Sequence, residues 1–195
     1  QYQHFIEIYE KHIAKYQDVV LTPEDWSFYH KYKELLGWEK EFRKLGVAAN
    51  AEEPLDVFSA VLNGAERIGL ARTEHMFSAP GRIETVQEMI LAPDAQSRQQ
   101  ALNKLLPFQQ ADFEQIFLIL KGRPVTIRLI DPPLHEFLPH ITDTERINEL
   151  AKRLGIDSEE VKKRIKDWEE ENPMFGTRGV RLSIVMPEII EMQTQ

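Results

Sequence analysis

The sequence contains no cysteine. Disulfides, thiolate metal sites and cysteine-based chemistry are therefore excluded within its 195 residues. Long apolar runs are missing too: none reaches the roughly 18 residues that a membrane-crossing helix needs, and no signal peptide is expected. There is no Gly-rich nucleotide loop, internal repeat or low-complexity tract. Positive charge is in deficit, with 24 Lys and Arg against 32 Asp and Glu, for a formal net charge of −8. That balance argues against nucleic acid or an anionic membrane surface as partner. It leaves an anionic small molecule open, because arginines placed together outweigh the global field at short range. The rest of the composition, 42% hydrophobic and 29% charged, is that of an ordinary soluble protein long enough for one domain with a real core. The chain starts at Gln1 rather than Met and ends in the helical-looking PEIIEMQTQ, so it is expected to be a piece of something longer.

Residues 1–44 read as a helical lead-in. Phe5, Ile8, Tyr9, His12, Ile13 and Tyr16 recur at three- and four-residue spacing as one apolar stripe. Thr22-Pro23-Glu24-Asp25 is a helix start, with Leu21 and Trp26 placed for a hydrophobic staple. The stripe, expected to be a packing face, continues through Tyr29, Leu35, Leu36, Trp38 and Phe42.

From residue 45 the pattern becomes strand–helix alternation. Strands are expected near 47–51, 68–72, 125–131 and 180–185. Helices are expected from Pro54 to a close at Gly64, over 82–91, and over about 94–121 with Pro107 interrupting or kinking it. Two more helices, separated by Gly155, start at the capping-box spacings Thr142–Glu145 and Asp157–Glu160. Alternation of this kind implies a parallel sheet with helix-covered faces. The expected fold class is α/β: the first half of a (β/α)8 barrel, which typically needs about 250 residues when complete, over residues 45–195.

The chemistry centres on arginine. Arg128 lies within the strand Val125–Asp131, which is bounded by Gly122, Pro124 and Pro132-Pro133. A guanidinium keeps its charge, so a strand that buries one must supply an anion or a carboxylate. Arg72 closes a strand, and Arg178 sits in the turn-rich loop just before the last expected one. Strand ends of a barrel converge on one face, so the three could meet around a ligand whose phosphate or carboxylate fits their planar forks. The competing reading makes them structural ion pairs with Asp131, Glu74 or Glu136. His75, His135 and His140 are expected to be structural hydrogen-bonders rather than bases.

IGLARTEHMF (68–77), QEMILA with LNKLLPFQQADFEQIF (87–117), PVTIRLIDPPLHEFLPH (124–140) and NPMFGTRGVRL (172–182) resemble, in order, segments of the pyruvate, phosphate dikinases. Residues 1–30 carry no such resemblance. Phosphoenolpyruvate synthases and phosphotransferase-system enzyme I share the RTE and NP…G.R motifs but lack the DPPLHEFLP continuation.

The resemblance implies a phosphoenolpyruvate/pyruvate-binding barrel in which Arg72, Arg128 and Arg178 hold substrate, Arg72 and Arg128 acting catalytically. It implies Asp131 and Glu74 as supporting carboxylates, with Asp131 orienting Arg128. The parent would interconvert ATP, pyruvate and phosphate with AMP, phosphoenolpyruvate and pyrophosphate through a phosphohistidine. The family's Mg²⁺ ligands, its proton-donating cysteine and its phosphate-carrying histidine domain lie outside this chain. The implied partners are the small-molecule substrate and the remaining parent domains, with a homo-oligomer open and a cytoplasmic or plastid setting. A non-catalytic module derived from the barrel, or a synthase-type relative, are the rival readings.

Overall fold

The computed structural model describes residues 22–195 apart from Pro80 and Pro173. The Phe5–Tyr16 stripe and Leu21, the first half of the expected staple with Trp26, lie outside the described residues. Helix α1 (Pro23–Phe42) begins as its sequence dictates. The Thr22 hydroxyl accepts the Asp25 N–H at 3.2 Å and the Asp25 carboxylate accepts the Thr22 N–H at 2.9 Å, closing a capping box. Those bonds hold the Asp25 carboxyl below its ordinary range. At the other end Arg43 bonds Glu39 and Glu66, each at 2.7 Å, tying the helix end to the turn before the second strand.

Over the described residues of the stripe the expected packing face is not found: no α1 residue is buried, and Trp38 and Phe42 are 55% and 78% exposed. Its rings pack on each other instead, Phe28 stacked on Tyr32 and Trp26 edge-on to Tyr29.

The sheet has three short parallel strands in the order β1-β2-β3: β1 (Ala48–Asn50), β2 (Arg67–Arg72) and β3 (Val125–Arg128). Parallel pairing needs crossovers, and helices supply them. Helix α2 (Pro54–Leu62) joins β1 to β2 and ends, as expected, just before Gly64 at φ +95°. Between β2 and β3 lie α3 (Glu74–Phe77), α4 (Ile83–Ile90) and the 26-residue α5 (Ala95–Leu120). Pro107 does not interrupt α5. A proline removes one donor from the ladder, and buried Ala101, Leu102 and Leu105 before it, with Ile116 and Leu120 after it, keep the helix seated.

Two expectations for strands need correction. β3 stops at Arg128 rather than reaching Asp131, and its residues are half-buried or exposed rather than buried. The Ile130 N–H leaves the ladder to donate to Gln193 at 2.9 Å. The segment 180–185 is not a strand but helix α8 (Val180–Val185), followed by α9 (Pro187–Gln193). The buried apolar residues there are Leu182, Met186, Ile189 and Met192, spaced four, three and three apart, which is the period of a helix face. Val180, Ile184 and Val185, the residues that suggested a strand, are exposed.

Between β3 and α8 the chain forms a 3₁₀ turn (Leu134–Phe137), α6 (Thr144–Leu154) and α7 (Ser158–Trp168). Asp143 rather than Thr142 caps α6, accepting the Arg146 N–H at 3.2 Å, and Asp157 caps α7.

The core falls into two clusters. One lies between sheet, α2 and α5, around Val57, Ile68, Ala71, Met76 and Ile116. The larger joins α4, α5 and the helices after β3, around Met89, Leu105, Leu134, Ile147, Leu150 and Leu182. The fold is α/β, mostly helical, with a small parallel sheet.

Candidate functional site

Strand register brings the first two arginines together. Arg72 is the last residue of β2 and Arg128 the last of β3, and they are direct partners across the parallel ladder. Side chains at partner positions project to the same face, so both guanidinium groups leave the sheet at the C-terminal ends of adjacent strands. Arg178 arrives from the loop before α8. Its Nη2 donates to Asp131 Oδ2 at 2.8 Å, and the same oxygen lies 3.3 Å from Arg128 Nη1. Asp131 therefore bridges two arginines, and the three sequence-predicted arginines gather at one end of the sheet.

Each guanidinium already has a carboxylate. Arg72 donates to Glu52 at 2.6 Å, and Arg128 makes a close ion pair with Glu74. Glu136, a candidate partner from the sequence, pairs with none of the three among the described residues. The arginine side chains remain about a third exposed (33%, 37% and 29% in chain order). Arg128 Nε and Glu74 Oε2 are buried without a hydrogen-bond partner. The pair is thus incompletely satisfied.

The backbone around the site is built for close approach. Gly179 adopts φ +52°, and a Cβ there would meet Asp131 Oδ1 at 2.8 Å, so only glycine lets this loop lie against the bridging carboxylate. Arg181 fastens the same loop, donating to the Gly176 carbonyl at 2.6 Å and the Met174 carbonyl at 2.9 Å. Thr73 is fully buried just beyond Arg72; its N–H donates to the Arg128 carbonyl at 3.3 Å and its hydroxyl accepts from Gln193 at 2.9 Å.

Beside the arginines a cleft of about 410 Å³ is lined by Glu52, His75, Arg82 and Asp112, among others. Arg82 and Asp112 grip each other bidentately there, and that bond raises the Arg82 pKa above its ordinary value.

Of the three histidines expected to be structural hydrogen-bonders, only His140 makes a side-chain bond among the described residues, to Thr142 at 2.8 Å. His135 buries its Nδ1 without a partner, and His75 faces the cleft.

Sequence reasoning missed Glu52 and Gln193. Glu52 follows β1 as Glu74 follows β2, and that repeated position after a strand end was the available signal. A lone glutamine near the end of an amphipathic helix gives no signal at all.

Among the described residues no helix is long and apolar enough to cross a membrane. The family described as PEP-utilising enzyme, PEP-binding domain, matches residues 28–195. Pyruvate, phosphate dikinase of Clostridium symbiosum is 48% identical over 164 residues, covering 84% of this chain and 18% of the relative. Pyruvate, phosphate dikinase 2 of Zea mays is 52% identical over 161 residues, 82% of this chain and 18% of its own. The dikinase of Giardia intestinalis is 50% identical over 161 residues, 83% and 18% respectively. The chain thus spans about 18% of the length of these curated relatives. With the family match covering all but the first residues, the chain belongs to the PEP-binding domain family of the PEP-utilising enzymes.

Proposed function

We propose that this chain is the arginine clamp of a pyruvate, phosphate dikinase: the part of the phosphoenolpyruvate/pyruvate domain that grips the substrate's anionic groups. The observation that carries the reading is the pairing of Arg72 with Arg128 at adjacent strand ends, with Arg178 joined to them through Asp131. Phosphoenolpyruvate bears a phosphate and a carboxylate on one small skeleton, and planar guanidinium forks match both. Glu52, Glu74 and Asp131 act as stand-in anions that hold the forks in place and yield or share them on binding.

In the parent, a phosphoryl group would pass from a histidine nitrogen to the enolate oxygen of pyruvate, breaking a P–N bond and forming a P–O bond, or the reverse. Arg72 and Arg128 would stabilise the charge on the transferring group and the enolate, which is electrostatic catalysis by preorganised donors. The magnesium expected of the parent finds no fit here. Glu52, Glu74 and Asp131 are each spent on an arginine, and among the described residues no group of three His, Cys, Asp or Glu could hold a metal. Its ligands would come from parent strands beyond this chain.

The three-stranded sheet would be the opening part of a closed (β/α)8 barrel over residues 45–195, with 1–44 as the lead-in. Relatives that are dikinases favour this reading over a synthase-type enzyme or a non-catalytic module. The parent's compartment is left to the parent, since the rice relative carries the name chloroplastic beside bacterial ones.

The test is steady-state kinetics of the intact parent carrying Arg128→Lys. A point charge cannot replace a planar fork, so turnover should fall by roughly a hundredfold or more. Wild-type turnover would make Arg128 structural and remove the reading's central residue.

A further inference from the structure

Gln193 is one of the few polar side chains buried in the described residues, with 7% exposure. It lies in α9, 120 residues from Thr73 and 63 from Ile130, and bonds both. The orientation of its amide is fixed by chemistry. The Ile130 N–H can only donate, so Oε1 must face it, at 2.9 Å; Nε2 is left to donate to the Thr73 hydroxyl, also at 2.9 Å.

These two contacts fall at telling places. Thr73 stands between Arg72 and Glu74, and Ile130 between Arg128 and Asp131 with one residue intervening. One carboxamide therefore joins the bases of the two strand ends that carry four of the site's charged groups. A leucine or methionine would fill the same space without the cost of burying an amide. The amide's rigid donor–acceptor geometry does what an apolar side chain cannot: it sets the spacing between the two turns.

We infer that Gln193 is a positioning residue of the arginine clamp, holding Thr73 and Ile130 so that the Arg72 and Arg128 forks address one anion. The functional half of this inference rests on the anion-binding reading above; the positioning half does not.

The experiment uses the full 195-residue chain with Thr73→Val, Gln193→Leu and the double variant. Two readouts are taken: the arginine Nε–Hε resonances without ligand, and the dissociation constant for oxalate, a planar enolate mimic. The expected result is a shift of the Arg72 and Arg128 resonances with those of Arg82 and Arg98 unmoved. Oxalate should weaken by roughly tenfold in each single variant, and the double variant should be no worse than Gln193→Leu, because the Thr73–Gln193 bond is shared.

A purely structural role would lower the melting temperature and leave the Arg72 and Arg128 resonances where they were; that result, with oxalate affinity unchanged, overturns the inference. Thr73→Val is nearly isosteric, so it decides the matter should Gln193→Leu fail to fold. If the wild-type chain does not bind oxalate at all, the anion reading fails, while the resonances still judge Gln193.

Discussion

Arginine and carboxylate pairs carry most of what is specific in this molecule, and they do so at different depths. Arg82 and Asp112 form a bidentate pair whose side chains are 18% and 15% exposed, tying the start of α4 to the middle of α5. Removing one member strands the other. Asp112→Ala should therefore lower stability by about 2–4 kcal/mol, read as a shift in the urea midpoint, whereas the exposed Lys162–Glu159 pair should contribute almost nothing when cut. Equal effects at the two sites would contradict this ranking by burial.

Asp94 illustrates a pH-linked contribution. It caps α5 by accepting the Ser97 N–H at 2.7 Å, which lowers its pKa from the ordinary value of 3.8. A carboxyl whose folded pKa is depressed stabilises the fold above its unfolded pKa and loses that contribution as pH falls through the folded value. Acid titration followed by circular dichroism should show Asp94→Asn flattening the stability loss below about pH 4. An unchanged acid limb would remove Asp94 from the list of contributors.

The elements differ in how plainly the sequence announces them. Helix α1 is written in its first four residues, because a threonine cap, a proline and two acids satisfy the orphan N–H groups locally. The strand around Ile127 is legible from a β-branched run between turn residues, and that around Ile68 from a short apolar run that ends in polar residues. Val180–Val185 is not. Six mostly apolar residues fit a buried strand as well as a short helix, and the deciding information, burial of Met186, Ile189 and Met192 in step with Leu182, lies beyond the segment.

That outcome can be measured. On a helix Leu182→Ala should cost about 2–5 kcal/mol, while Val180→Ala and Ile184→Ala, exposed at 73% and 76%, should cost under about 1 kcal/mol. Similar losses at 182, 184 and 180 would restore the strand. Arg128 itself was legible because a guanidinium amid the β-branched run Val125–Ile130 keeps its charge and needs a partner. Glu52, the partner of Arg72 across 20 residues, and Gln193, bonded to Thr73 across 120, were not, since side-chain meetings at that range depend on the tertiary fold alone.

At the scale of the whole molecule, a parallel sheet of three strands has two edges, β1 and β3, while a closed barrel has none. The proposed barrel would complete itself with strands from the parent. Until then the outward-facing amides of β1 and β3 should exchange with deuterium much faster than those of β2, unless the chain self-associates. Uniform protection in a monomer would argue against an interrupted barrel.

The central claim, that Arg72, Arg128 and Arg178 form one anion clamp, is tested most directly by titrating oxalate into the full chain. Charge-assisted bonds of about 1.5–3 kcal/mol each, less ordering costs and without a metal, imply a dissociation constant on the order of millimolar. Arg128→Lys should weaken it by at least about tenfold, with Arg146→Lys, at the exposed Arg146–Asp143 pair, leaving it unchanged. Binding by Arg128→Lys as tight as by the wild type would contradict the clamp.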